Sequence, residues 1–493
     1  MMGRHHDGPG GFATLAEEPR PTLVERTLLN LAGAWNDIAE GAARTLGLAP
    51  HDDPARSERA LRSLMRECLE ARGGEVSARM RAAELGQAYL RLEPEGKARF
   101  LSMLAHDFAV DGAAIEAGIE AYRAAPEEAE RLKAESALRR ALVPPRVKLL
   151  TQFNILPEGV KFLADLRADL LTLTNGDPQL NALDRDLRDL LESWFDVGFL
   201  DLRRITWNSP AALLERLIEF EAVHAITSWT DLRNRLESDR RLYALFHPRM
   251  PDEPLAFVEV ALVKGMADNV QVLLDEEAPP IDTGAADSAI FYSITNTQRG
   301  LRGISFGDYL IKRVVQALAA ELPNIKVFAT LSPIPGFRAW LGQQPESTLA
   351  APMTEDEQGG VRALGGSDDL PEALAVVLDR PDWPQDPVTV NALRGPLQRL
   401  CARYFLTTRE GGTPIDPVSR FHLRNGARLE RINWLGDSSA KGLAESAGLM
   451  VNYRYQIDDI EKNHEAYIKE GLIALGPEVR ALTRQLRGRW LAA

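Results

Sequence analysis

The chain has 493 residues, 45% of them hydrophobic and 26% charged, with a formal net charge of −13. That length suggests roughly two to four domains, and the apolar share is that of an ordinary protein with a real core. The acidic balance disfavours nucleic acid and anionic membranes as partners, so an anionic ligand must be met by a local cationic or amide-lined site.

Residues 1–20 carry acidic side chains and no apolar signal core, and read as a disordered lead. No run of about eighteen apolar residues occurs, so no membrane span is expected. Residues 21–195 read as helix after helix. Leu61, Leu64, Met65, Cys68 and Leu69 share one helical face, closed by Gly73 and Gly74, and Phe162, Leu163, Leu166, Leu170 and Leu173 repeat the pattern. An all-α domain without clustered catalytic residue types is a unit that packs or oligomerises. Alternating strand patterns are scarce before residue 250, and the helical domain is expected to end at 195.

From about residue 205 the composition changes. The segments 255–263, 270–274, 288–295 and 325–332 are short and rich in β-branched and aromatic residues, and predict strands. Between the last two, Leu310, Ile311, Val314, Val315 and Leu318 form a buried helical stripe. Strand, helix and strand make a βαβ unit with parallel strands, so both strand ends meet at one sheet edge. Residues 342–371 are polar, acidic and Gly/Pro-rich, and predict a mobile surface insertion. Further strands are expected at 428–435 and 449–455, with a helical tail ending in no peroxisomal or ER address. Cys68 and Cys401 lie far apart without a CxxC spacing, which argues against a disulfide framework and suits a reducing cytoplasm.

Candidate chemistry gathers in three places. In FATLSPIPGF (328–337), Pro333, Pro335 and Gly336 stop a strand on Ser332, placing a hydroxyl where open α/β sheets bind ligands. Taken alone such a serine is a turn-former or cap. His422 lies in the apolar, turn-ended FHLRNGA; it is either a satisfied core histidine or an acid/base partner for Ser332. The loop from Thr297 to Gly307 joins a strand to a helix. Gly300, Gly303 and Gly307 permit close backbone approach, and Arg299 and Arg302 add charge at a helix N-terminus. It is either a pyrophosphate site or a Gly-rich connection with solvated arginines, and it is neither a Rossmann fingerprint nor a P-loop. His224 and His247 are weaker candidates, and no His/Cys cluster or HExxH points to a metal.

Three long blocks carry a resemblance: FYSITNTQRGLRGISFGDYLIKRVV, FATLSPIPGFRAWL, and DPVSRFHLRNGARLERINWLGDSSAKGLAESAGLMVNYRY. Together they resemble the malonyl-CoA decarboxylase family over roughly residues 60–470. The resemblance implies an α+β protein, with a helical oligomerisation domain (21–195) before a catalytic domain (196–493) like the GNAT acyltransferases. It implies Ser332 and His422 as the catalytic pair, and an acyl-CoA loop of Arg302, Gly303, Ile304, Ser305, Phe306, Gly307 and Asp308. Tyr455 corresponds to an activity-linked position and is expected to line the acyl pocket. Animal members have a glutamate where this chain has Ser305. The implied reaction converts malonyl-CoA to acetyl-CoA and CO2 with no cofactor beyond the CoA of the substrate, in a bacterial cytoplasmic homo-oligomer, a tetramer or dimer. An acyl-CoA-dependent acyltransferase and a non-catalytic acyl-CoA sensor are the alternatives.

Overall fold

The computed structural model describes Trp35 and residues 54–484 apart from 71–73, 175, 305, 410 and 411. The expected lead, 1–20, lies outside the described residues. The chain divides into two compact units between Leu190 and Leu191, five residues before the expected boundary.

Every described secondary-structure element of the first unit is a helix. Its helices run Pro54–Glu70, Gly74–Leu90, Pro94–Asp107, Gly112–Ala124, Glu128–Ala141, Pro145–Phe153, Gly159–Leu170 and Pro178–Trp194, the last continuing into the second unit. Leu64, Met65 and Cys68 are buried as the spacing requires, and so are Phe162, Leu163, Leu166 and Leu170. Aromatic rings fill the centre, with Phe162 within 5.0 Å of Trp35 and 4.8 Å of Phe153. The helices Gly112–Ala124 and Glu128–Ala141 bury no residue and pack as a hairpin on each other.

The second unit is built on an eight-stranded sheet. Its strands are β1 (Asp201–Ile205), β2 (Arg240–Phe246), β3 (Ala256–Val263), β4 (Ser288–Asn296), β5 (Val327–Thr330), β6 (Ser332–Pro333), β7 (Arg428–Asn433) and β8 (Met450–Tyr455). The order is β1-β2-β3-β4-β5-β8-β6, with β7 also paired to β8. Only β4 and β5 pair in parallel; the helix Gly307–Glu321 makes the crossover and buries Leu310, Ile311, Val314, Val315 and Leu318. That pairing runs from Ser288↔Val327 to Phe291↔Thr330 and stops, while β4 continues to Asn296. The two strands therefore part at their C-terminal ends. A bulge opposite Glu259 and Val260 sets Tyr292 out of the β3–β4 register.

Four expectations are corrected. VQVLL (270–274) is a helix, not a strand: the Asn269 side chain caps it by accepting from the Val272 N–H, and Val270 and Leu273 are the buried pair. Strands β1 and β2 precede the region where strands were expected. Ser332 does not end β5; it opens the two-residue β6, paired with β8. The segment 342–371 is not a polar loop but folds as helices Glu346–Ala350, Glu355–Gly365 and the start of Leu370–Asp379. Its acidic residues serve helix starts: Thr354 and Glu357 form a capping box, and Leu349, Val361 and Leu370 are buried.

Candidate active site

The side chains of Thr330 and Ser332, two apart along the chain, share one face of the sheet where β4 and β5 part. Tyr453 and Tyr455 of β8 come to the same face, since Tyr455 pairs with Phe328 and Val451 with Ser332. The irregular step at Leu331 is filled by side chains. Thr330 Oγ1 accepts from the Tyr453 N–H at 3.1 Å, and the Thr330 carbonyl from Asn452 Nδ2 at 2.7 Å.

His422 arrives from the helix Pro417–Arg424. Asp416 caps that helix, Pro417 starts it, and Ser419, His422 and Leu423 form its buried side. Beyond Asn425, Gly426 at φ +78° turns the chain into β7. The imidazole lies nearly parallel to the Tyr453 ring, 4.5 Å between centroids and 24° between planes.

These placements produce one chain of hydrogen bonds. Tyr455 Oη lies 2.7 Å from His422 Nδ1, and His422 Nε2 lies 3.3 Å from Ser332 Oγ. Ser332 donates its own proton to Thr330 Oγ1 at 2.8 Å. Its bond with the imidazole must then be accepted, which places the ring proton on Nε2 and makes Nδ1 the acceptor of the Tyr455 hydroxyl. Burial alone pushes the His422 pKa down to about 3. The ring is therefore neutral at pH 7 in the free protein.

That shift has a stability consequence. An unfolded histidine takes up its proton near its ordinary value of 6.5, whereas folded His422 does so only near pH 3. Between those values the unfolded state holds the extra proton. The contribution is complete above pH 6.5 and is lost toward pH 3, at about 1.4 kcal/mol per pH unit for this group. Denaturant unfolding at pH 7 and pH 5 checks it. The wild type is expected to lose about 2 kcal/mol more than His422→Asn over that interval; equal losses contradict it.

The loop after β4 leads to the same sheet edge. Arg299–Leu301 forms a 3-10 turn and Gly303 takes φ +87°. Leu301, Ile304 and Phe306 are buried and pin the loop, Phe306 packing 5.7 Å from the Phe195 ring. Gly300 is buried, whereas Arg299, Arg302 and Gly303 are exposed. Gly307 and Asp308 open the fifteen-residue helix Gly307–Glu321. Ser305 lies outside the described residues. The structure thus brings Ser332, His422 and Tyr455 into contact, and sets the loop residues on the adjoining connection.

Two other histidines lie elsewhere in the second unit. His247 Nε2 lies 3.1 Å from the Trp194 carbonyl and its Nδ1 accepts from the Arg249 N–H. His224 is driven down to about 4, chiefly by burial. Among the described residues no three His, Cys, Asp or Glu side chains group as a metal site, and no helix is long and apolar enough to cross a membrane.

Sequence reading missed Thr330 and Asp416, and offers Tyr453 only as a strand-end tyrosine. Thr330 was marked by lying two residues before Ser332 on a strand, and Tyr453 by the same spacing before Tyr455. Asp416 was marked by Asp-Pro ahead of an apolar helical face.

A helical unit and a mixed sheet whose parallel strands β4 and β5 part define an α+β protein, with the buried Tyr–His–Ser chain at the parting as its candidate site. Residues 198–492 match the malonyl-CoA decarboxylase C-terminal domain, and residues 108–195 the malonyl-CoA decarboxylase N-terminal domain. The chain is 39% identical over 412 residues to the mitochondrial malonyl-CoA decarboxylase of Mus musculus, covering 80% of this chain and 83% of that protein. It is 36% identical over 427 residues to that of Anser anser anser, covering 83% and 84%. Crystal structures of malonyl-CoA decarboxylase from Rhodopseudomonas palustris and Agrobacterium vitis are similar in fold. Each has a TM-score of 0.77, at 43% and 42% identity, over 86% of this chain and 99% of theirs. The chain belongs to the malonyl-CoA decarboxylase family.

Proposed function

We propose that this protein converts malonyl-CoA to acetyl-CoA and CO2, and that Ser332 and His422 are its catalytic pair. The observation that carries the reading is the buried Tyr455–His422–Ser332 chain at the strand parting. The C–C bond to the free carboxylate breaks, its electron pair passes into the thioester as an enolate, and the α-carbon then takes a proton. The thioester carbonyl is itself the electron sink, so the chemistry asks for no cofactor beyond CoA.

The loop of Arg299, Gly300, Arg302, Gly303, Ile304, Ser305 and Phe306, with Gly307 and Asp308 at the helix start, holds the CoA pyrophosphate. N–H groups and the helix dipole there favour an anion in an otherwise acidic protein. Remote binding energy then positions the malonyl group. Ser332 orients the carboxylate by turning its hydroxyl proton from Thr330 Oγ1 to the substrate. His422 is the proton donor to carbon. It is neutral when the site is empty; the substrate carboxylate entering the same buried space favours the charged imidazolium, so the ring takes up its proton with the substrate. Tyr455 fixes the ring through its contact with Nδ1, donating to the neutral ring and accepting from the charged one, and its phenol stands at the edge of the acyl pocket.

The protein works as a homo-oligomer, dimer or tetramer, through its helical unit. The hairpin of Gly112–Ala124 and Glu128–Ala141 supports this, because Leu132 on it and Leu142 and Val143 directly after it stay 59%, 52% and 54% exposed. Leu132→Glu is expected to lower the mass in sedimentation; an unchanged mass points to another surface. Two buried, unpaired cysteines suit the bacterial cytoplasm.

Purified protein given malonyl-CoA labelled at its free carboxyl carbon tests the reaction. One CO2 per acetyl-CoA without any acceptor is expected. CoA release that requires an added amine or alcohol marks an acyltransferase, and binding without turnover a sensor.

A further inference from the structure

Ser332 and His422 come from elements ninety residues apart, and their 3.3 Å contact sits at the long end of hydrogen bonding. One side chain touches the support of both. Tyr404, on the helix Pro387–Leu406, is 3% exposed. Its hydroxyl donates to Asp416 Oδ2 at 3.1 Å. Asp416, fully buried, caps the His422 helix by accepting the Ser419 N–H at 2.6 Å. On its other side the Tyr404 hydroxyl lies against Gly336, in the turn that follows Ser332. A Cβ on Gly336 would stand 2.4 Å from that oxygen and 3.5 Å from the ring carbon bearing it. The Tyr404 ring is held in turn by Phe337 at 5.7 Å and Trp340 at 5.5 Å. The next residue, Phe405, packs on Tyr453, which stacks on His422.

Capping alone does not account for this arrangement. Asn or Ser caps a helix as well as Asp does, without burying a charge. Nearby Arg420 spends its guanidinium on the carbonyls of Pro414 and Ile415. The carboxylate instead provides a strong acceptor that draws the Tyr404 hydroxyl into one position, between the two halves of the site. Gly336, at φ −100°, needs no glycine for its backbone; only the approach of Tyr404 requires one.

We propose that Tyr404 and Asp416 are positioning residues which set the Ser332–His422 distance, with Gly336 as the seat for the Tyr404 hydroxyl. This rests on the decarboxylase reading above. An inactive wild type would count against that reading, whereas an active wild type with unaffected variants counts against this one.

The test uses the full chain with Tyr404→Phe, Gly336→Ala, the double variant and Asp416→Asn. The readouts are kcat per CoA-binding site, KM for malonyl-CoA and Tm. Tyr404→Phe is expected to lower kcat about three- to tenfold with KM within about twofold, since sub-ångström misplacement acts on the chemical step. Asp416→Asn, which keeps the cap but weakens the acceptor, is expected to follow in the same direction. Gly336→Ala is expected to lower kcat more, about tenfold or beyond. Adding Tyr404→Phe to it should raise kcat back to the Tyr404→Phe level, because the Ala methyl then meets only the ring. The proposal is overturned by a kcat within about twofold of wild type in Tyr404→Phe, or by a double variant as poor as the product of the singles. If Gly336→Ala does not fold, Tyr404→Phe and Asp416→Asn decide alone.

Discussion

His422→Asn is expected to cut CO2 release from malonyl-CoA by about 10²–10⁴-fold, the usual span for a positioned acid. CoA affinity should stay within a factor of about three, since the proposed pyrophosphate site is the 299–308 connection and not this ring. Asn can still accept near the Nδ1 position but offers no exchangeable ring proton in the donor position. Ser332→Ala should lose turnover with similar selectivity. It removes the group between Nε2 and Thr330 Oγ1, now at 3.3 Å and 2.8 Å from Ser332 Oγ. Steady-state kinetics beside calorimetric CoA titration separate the two effects. Loss of turnover in proportion to loss of CoA binding would mean that these residues hold substrate and do no chemistry.

A large stability effect is expected at Gly426, just beyond the His422 helix. Its φ of +78° strains any side-chain-bearing residue, and a Cβ would lie 2.1 Å from the Ile460 carbonyl oxygen and 2.8 Å from its carbon. That neighbour is backbone at the start of the helix Ile460–Glu470, and cannot swing aside as a flexible side chain can. Strain of about 1–3 kcal/mol adds to overpacking of similar size. Gly426→Ala should therefore lower the melting temperature of the second unit by roughly 6–12 °C. The His422 helix and β7 meet at this turn, so the protein that still folds should also turn over more slowly. A melting temperature within about 2 °C of wild type would show that the turn yields without cost.

Much of the second unit was legible because its strands carry their burial pattern locally. The segments 255–263, 288–295 and 449–455 are apolar, β-branched or aromatic, and bounded by turn residues, and β3, β4 and β8 lie there. The buried stripe from Leu310 to Leu318 likewise dictates the crossover helix. Strands β1 and β2 were not legible. β1 is an edge strand with three exposed residues, and β2 begins with Arg240 and Arg241, whose charges are met by neighbouring Asp239 and distant Glu321 respectively. VQVLL reads as a strand by composition; a single cap from Asn269 and the packing of Val270 and Leu273 decide for helix.

At the site, the candidates Ser332, His422 and Tyr455 were legible as residues, the first two from strand and turn punctuation and all three from the family blocks. Their arrangement was not. The 2.7 Å contact of His422 with Tyr455 spans 33 positions and the contact with Ser332 spans 90, and no local pattern encodes either. The neutral state of His422 was also invisible, because it follows from burial in the folded unit and from no adjoining charge. The helices between Glu346 and Asp379 hid behind a polar, glycine-containing composition, their few apolar residues being enough to dock them.

The most direct test of the central claim is to follow malonyl-CoA carrying ¹³C in its free carboxyl group by NMR in D2O with the wild-type protein. The label should appear as CO2 and bicarbonate, matched one for one by acetyl-CoA bearing a single deuterium in its methyl group. Label that stays in malonate or on an acceptor, with free CoA in place of acetyl-CoA, would contradict it.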